Sequence, residues 1–89
     1  MATENHIDTS AWAARFSAKA GGEVAANVRP SSRLVSLLLR RNGQDFHKAH
    51  FLSDSEFSAL SQTAAETLLD QLGEHVLAAA QIRRVAAAV

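Results

Sequence analysis

The chain contains no cysteine, which excludes disulfide staples and fits a reducing compartment. It also has no apolar run near the roughly 18 residues that a membrane helix needs. The start, MATENHIDTS, carries neither the basic nor the apolar region of a secretion signal. These absences predict a soluble, cytoplasmic protein. No glycine-rich phosphate loop is present: Gly21-Gly22 is too short and precedes a predicted strand rather than a helix. The serines show no nucleophile elbow and no paired His-Asp spacing. His47 and His50 point to opposite faces if they lie on a strand, and His6 and His75 are remote from them. The expectation is a non-enzyme with no metal and no cofactor.

Eighty-nine residues make one domain, and a chain this short buries only about 60–65% of the surface it exposes when unfolded. A second subunit is the common supplement where disulfides are unavailable, so a homodimer is expected. Residues 1–9 read as a flexible N-terminus and 10–89 as the domain. Net charge is zero, but the charges are segregated. Residues 10–52 hold seven basic residues against two acidic ones, a net +5, and residues 53–89 have a net charge of −3. A basic front of this kind is a common mark of a polyanion-binding surface.

The stretch SAKAGGEVAAN, residues 17–27, supports two structures. As a helix end, it has Thr9 or Ser10 as caps upstream, abundant alanine, and Gly21 as a stop. As a hairpin, Trp12, Ala14, Phe16, Ala18 and Ala20 alternate with more polar neighbours, and Val24, Ala26 and Val28 alternate with Glu23, Asn27 and Arg29. A three-residue Ala-Gly-Gly loop sets Phe16 against Ala26 and Lys19 against Glu23. That agreement favours the hairpin.

Pro30-Ser31-Ser32 reads as a connector, because proline does not fit a central strand. RLVSLLLRR then runs into Asn42-Gly43, a strong turn signal, and QDFHKAHFL returns. A two-residue turn pairs Arg40 with Asp45 and Leu39 with Phe46; a helix over Ser32–Arg41 is the alternative. Apolar residues at 34, 35, 37, 38 and 39 lie on both faces of this strand, where a face open to water normally alternates. One face is expected to pack on a helix and the other to be partly covered, most simply by a second subunit.

Ser53-Asp54-Ser55-Glu56 is a capping box, with Leu52 as a candidate staple to Phe57. Phe57, Leu60, Ala64 and Leu68 follow as an apolar stripe. Gly73 either ends this helix or is tolerated within it, and Ala78, Ile82, Val85 and Val89 form a second stripe. Leu38, Ala78, Ile82 and Val85 are the candidate dimer or partner contacts. The predicted fold is α+β: a four-stranded antiparallel meander over 10–52 followed by a helical part over 53–89. A small all-α bundle is the alternative.

The order of four strands then a helix resembles the Pur-alpha repeat and the positive-cofactor-type transcriptional coactivators, over about residues 11–72. FHKAHFLSDSEFSAL is similar to the last strand and helix entry of Pur repeats. The resemblance implies a dimer that binds single-stranded nucleic acid. Independently of it, Arg15, Lys19 and Arg29 fall on the polar face of the predicted first hairpin, and Arg33, Arg40, Arg41 and Lys48 come from the second. A sheet with that charge suits a phosphate backbone.

Stacking platforms are few. Trp12 and Phe16 share the inward parity and Phe57 joins the helix, so only Phe46 or Phe51 is free to point outward. The leading expectation is a single-stranded nucleic-acid binder. Its rival is a protein-interaction module such as a regulator, adaptor or inhibitor, favoured by zero net charge and by the apolar residues 34–39.

Overall fold

Residues 10–20 form a helix, not a strand. The computed structural model describes residues 7–88, with side chains described for 7–81. In chain order the elements are α1 (Ser10–Ala20), β1 (Glu23–Arg29), a 3-10 turn (Pro30–Ser32), β2 (Leu34–Arg41), β3 (Gln44–Phe51), α2 (Asp54–Ser58) and α3 (Gln62–Ala88). The fold is α+β, with a three-stranded antiparallel sheet in the order β1-β2-β3 and a long C-terminal helix. The expected fourth strand is absent and the all-helical alternative is not the structure.

The reason lies in two periods that coincide. Trp12, Phe16 and Ala20, the buried residues of α1, are four apart. That spacing is one face of a helix, yet the three also share a parity and so satisfy an alternating pattern. The other residues of the supposed alternation, Ala14 and Ala18, are exposed. Alanine is small enough to fit either pattern, and it is the best helix former and a poor strand former. Five of the eleven residues of α1 are alanine, so propensity decides where periodicity does not. Gly21 then takes the left-handed conformation at φ 71° and donates its N–H to the Ser17 carbonyl, closing the helix. It is a helix stop rather than a hairpin turn.

The rest of the meander follows the sequence closely. Pro30–Ser32 makes the connector, and Arg33 follows it with a left-handed φ of 51°. Asn42 and Gly43 both have positive φ, the geometry of a two-residue hairpin turn. It fixes the register so that Arg40 faces Asp45 and Leu39 faces Phe46. On its other side β2 pairs with β1, with Ala26 opposite Leu37.

Alternation along β2 separates the two sides of the sheet. Val35, Leu37 and Leu39 have no exposed surface and meet α3 and Phe46 in the core. Val24, Ala26 and Val28 of β1 pack partly buried on the same side, with α1 over them. Both helices therefore lie on one side of the sheet. They are joined by Trp12, whose indole N–H donates to Asp70 at 2.8 Å; within α1 the Trp12 and Phe16 rings stack 4.9 Å apart.

Gly73 sits where a Cβ would come within 2.8 Å of the Phe16 ring. It does not end α3; it lets the two helices approach. The segment before β1 is also tied down: Ile7 packs on the core, the Asp8 carboxylate accepts from the Ser10 N–H, and the Thr9 hydroxyl donates to the Ala26 carbonyl. The remainder of the expected flexible terminus, residues 1–6, lies outside the described residues.

Capping at the other end is as expected. Ser53 accepts from the Glu56 N–H and Glu56 accepts from the Ser53 N–H. The helix it starts is short, however. α2 ends at Ser58, and Ala59 to Ser61 separate it from α3. Phe57 is consequently exposed rather than part of a core stripe, whereas Leu60 is buried.

Candidate interaction surface

Every second residue of the three strands points away from the helices. Register arranges them in four rows running β1, β2, β3. The row nearest the Asn42-Gly43 turn is Glu23, Arg40 and Asp45. Next come Ala25, Leu38 and His47, then Asn27, Ser36 and Ala49. The row at the far end is Arg29, Leu34 and Phe51. All residues of the two outer strands in these rows are exposed, and the four of β2 are exposed or half-buried. Phe51 has 72% of its surface open to solvent.

Charge on this face balances. Glu23 and Asp45 offset Arg29 and Arg40. Arg40 is engaged with Asp45, through Nε to Oδ1 at 2.9 Å and a second nitrogen to Oδ2 at 3.3 Å. That hydrogen bond, with the charge of Arg40, holds the Asp45 carboxyl below its ordinary range and raises the Arg40 guanidinium. Among the described residues Glu23 and Arg29 make no ion pair. The face also carries Ala25, Leu34, Leu38, Ala49 and Phe51 beside the polar Asn27, Ser36 and His47, an apolar share larger than a solvated sheet face normally has.

The seven basic residues proposed from the sequence do not converge. Arg29 and Arg40 share the open face. Arg15 and Lys19 lie on α1, on the opposite side of the sheet, where they border a shallow cleft with Trp12, Glu66 and Asp70; Arg15 reaches Glu66 at 3.5 Å. Arg33, at the 3-10 turn, pairs with Asp54 and stacks over the Phe57 ring at 4.5 Å. Arg41 and Lys48 have the helix-side parity of β2 and β3. Lys48 opens onto a cleft of about 320 Å³ beside the β3 edge, with His47 and His75 among its other walls.

Of the candidate contact residues, Leu38 lies at the middle of the open face and Ala78 is exposed on α3. The side chains of Ile82 and Val85 lie outside the described residues. Phe51 and Phe46 divide as their parities predict, Phe46 inward and Phe51 outward.

Glu23, Ala25, Leu34, Ala49 and Asp45 belong to the surface but were not among the candidate site residues of the sequence. For β3 the signal was present, because the Arg40–Asp45 register places Asp45, Ala49 and Phe51 on one side. For β1 it was obscured by pairing that strand with residues 10–20.

Among the described residues no group of three or more His, Asp or Glu is placed to hold a metal ion, and no buried side-chain polar atom lacks a partner. No described helix is long and apolar enough to cross a membrane. Compared with protein-family models, curated proteins and solved structures, the chain matches none.

Proposed function

We propose that the chain is a non-enzymatic protein-interaction module whose contact surface is the open face of the sheet. One observation carries the reading: that face carries Leu34, Leu38 and an exposed Phe51, is balanced in charge, and is left bare by both helices. A partner that covers Leu38, Leu34 and Phe51 removes apolar surface from water at about 25 cal/mol per Å², while the charged corners supply register rather than net attraction. A polyanion gains little here, because two carboxylates accompany two guanidiniums.

The experiment is an affinity capture with wild type and Phe51→Glu as parallel baits, followed by reconstitution of the captured protein in pure form. A partner whose pure complex forms with wild type and is lost with Phe51→Glu supports the reading. A partner held equally by both baits contradicts it.

Single-stranded nucleic acid is the second reading, favoured by one feature of the far row: an exposed Phe51 ring in the same row as Arg29. A base stacks on such a ring, and an arginine two strands away, across Leu34, meets a phosphate further along the nucleic acid. Titration with a fluorescent mixed-sequence single strand at low and moderate salt distinguishes the two. Tight binding that weakens steeply with salt and is lost in Phe51→Glu supports nucleic acid; absence of binding at low salt removes it.

A further inference from the structure

The two ends of β1 on the open face are charged in a pattern that fits itself. Glu23 and Arg29 stand at opposite ends of β1, six residues and three rows apart, both exposed, both on the open side. Two identical sheets stacked face to face about a two-fold axis have two orientations to choose from. With the axis along the strands, rows lie over like rows and β1 lies over β3. Glu23 then meets Asp45 of the other copy, and Arg40 meets Arg40. With the axis across the strands, the rows invert and β1 lies over β1. Glu23 then meets Arg29 at one end of β1 and, by symmetry, Arg29 meets Glu23 at the other, while Arg40 and Asp45, already paired with each other, lie over Leu34 and Phe51.

We propose that the open sheet face is covered by a second copy of this chain, packed about the two-fold axis that crosses the strands, with Glu23 of each copy against Arg29 of the other. The proposal rests on the reading of this face as a protein contact surface and names its partner. In the middle of the stack Leu38 lies over Ser36 and Ala25 over Asn27, so the larger side chains sit against smaller ones, as interdigitating sheets about 10 Å apart require. The relative rotation of about 30° between stacked sheets displaces the corners by only a few ångströms, within the reach of an arginine. A polyanion, or a partner of one sign of charge, meets repulsion at one end of β1 wherever it meets attraction at the other.

Area sets the strength. At the standard strand spacings the flat face covers about 350 Å², less than half the roughly 800 Å² per partner of a standard interface. The dimer is therefore weak and depends on concentration.

Sedimentation equilibrium over a wide range of protein concentration at low salt tests it, with wild type, Glu23→Arg, Arg29→Glu, the double variant and an equimolar mixture of the two single variants. Wild type is expected to approach twice the monomer mass as concentration rises. Each single variant sets two pairs of like charges in contact and weakens association by about tenfold or more. The double variant, and the mixture as a heterodimer, recover it, because both contacts between residues 23 and 29 are again between opposite charges. Circular dichroism checks that the variants fold, and both positions are exposed.

Tighter association of Glu23→Arg overturns the proposal in favour of the axis along the strands. Association of wild type unaffected by either single variant overturns it in favour of another surface. A wild type that stays monomeric overturns self-pairing. In that case capture that still depends on Phe51 keeps the reading of the face, and capture that does not removes both.

Discussion

Leu37 and Leu38 are consecutive leucines on one strand with opposite surroundings. Leu37 has no exposed surface and meets the α3 side of the core, while Leu38 stands half-buried on a face that no helix covers. The same contrast runs along the whole sheet. Its inner side gathers Val35, Leu37, Leu39 and Phe46 under two helices; its outer side keeps nearly as many apolar groups and frames them with balanced charge. Apolar content alone therefore does not tell which side is packed into the core and which the helices leave bare. What tells them apart is the frame: the inner side centres on Val35, Leu37 and Leu39 with no exposed surface, whereas the outer carries Glu23, Arg40 and Asp45 at one end and Arg29 at the other.

The sharpest test of that division substitutes the two leucines separately. Leu37→Ala leaves a cavity in a closed core and is expected to cost about 2–5 kcal/mol, read from urea denaturation of dilute protein. Leu38→Ala is expected to change the stability of the monomer by less than about 1 kcal/mol, while weakening association at high concentration. Equal losses for the two would erase the distinction between the faces.

A smaller effect probes how the helices close the inner side. In Gly73→Ala the added methyl meets the Phe16 ring at 2.8 Å. Alanine gains about 1 kcal/mol of helix propensity, but crowding of a buried ring costs about 1–3 kcal/mol, so a net loss is expected. Trp12 stacks on Phe16 and is the single tryptophan of the chain, so its fluorescence reports the displacement directly. A stabilised variant with unchanged fluorescence would contradict the close approach of α1 and α3.

Smaller again is the cap. Ser53→Ala removes the acceptor for the Glu56 N–H and is expected to cost about 1 kcal/mol in the same denaturation assay, without altering association through the outer face.

The last effect depends on pH. Glu56 is held below its ordinary value of 4.5, first by the Ser53 backbone N–H and next by the His50 ring at 2.9 Å. A depressed carboxyl favours the folded chain above the unfolded pKa, and that contribution disappears as pH falls through the folded value. Glu56→Gln is therefore expected to be less stable than wild type near neutrality, with the gap closing at pH values below about 4.5. A constant gap across that range in thermal melts would contradict it.

Much of the inner side was legible in the sequence. The Asn42-Gly43 turn fixed one register through two residues, and the Ser53–Glu56 box marked a helix start. The inward side of β1 was read correctly even though its partner strand was not. Residues 10–20 were illegible for a definite reason: large residues spaced by four satisfy a period of two as well, and the intervening alanines carry no side-chain evidence for either. The site suffered from the same error. Once 10–20 is a helix, Arg15 and Lys19 leave the sheet, and Arg15, Arg33 and Arg40 of the basic field are taken up in ion pairs with Glu66, Asp54 and Asp45. Arg40–Asp45 followed from the Asn42-Gly43 turn, but Arg15–Glu66 and Arg33–Asp54 join residues 51 and 21 positions apart, which no local pattern reveals. Balance on the outer face became visible only with the β1–β2 register.

The central claim is that one side of this sheet folds the chain and the other meets a second copy. A dilution series of amide NMR spectra of the uniformly labelled protein tests it most directly. Concentration-dependent shifts are expected at the outward positions, with Glu23, Arg29, Leu38 and Phe51 among them, and none at Arg15 and Lys19 on α1. Shifts confined to the helices, or spectra unchanged from dilute to concentrated protein, would contradict it.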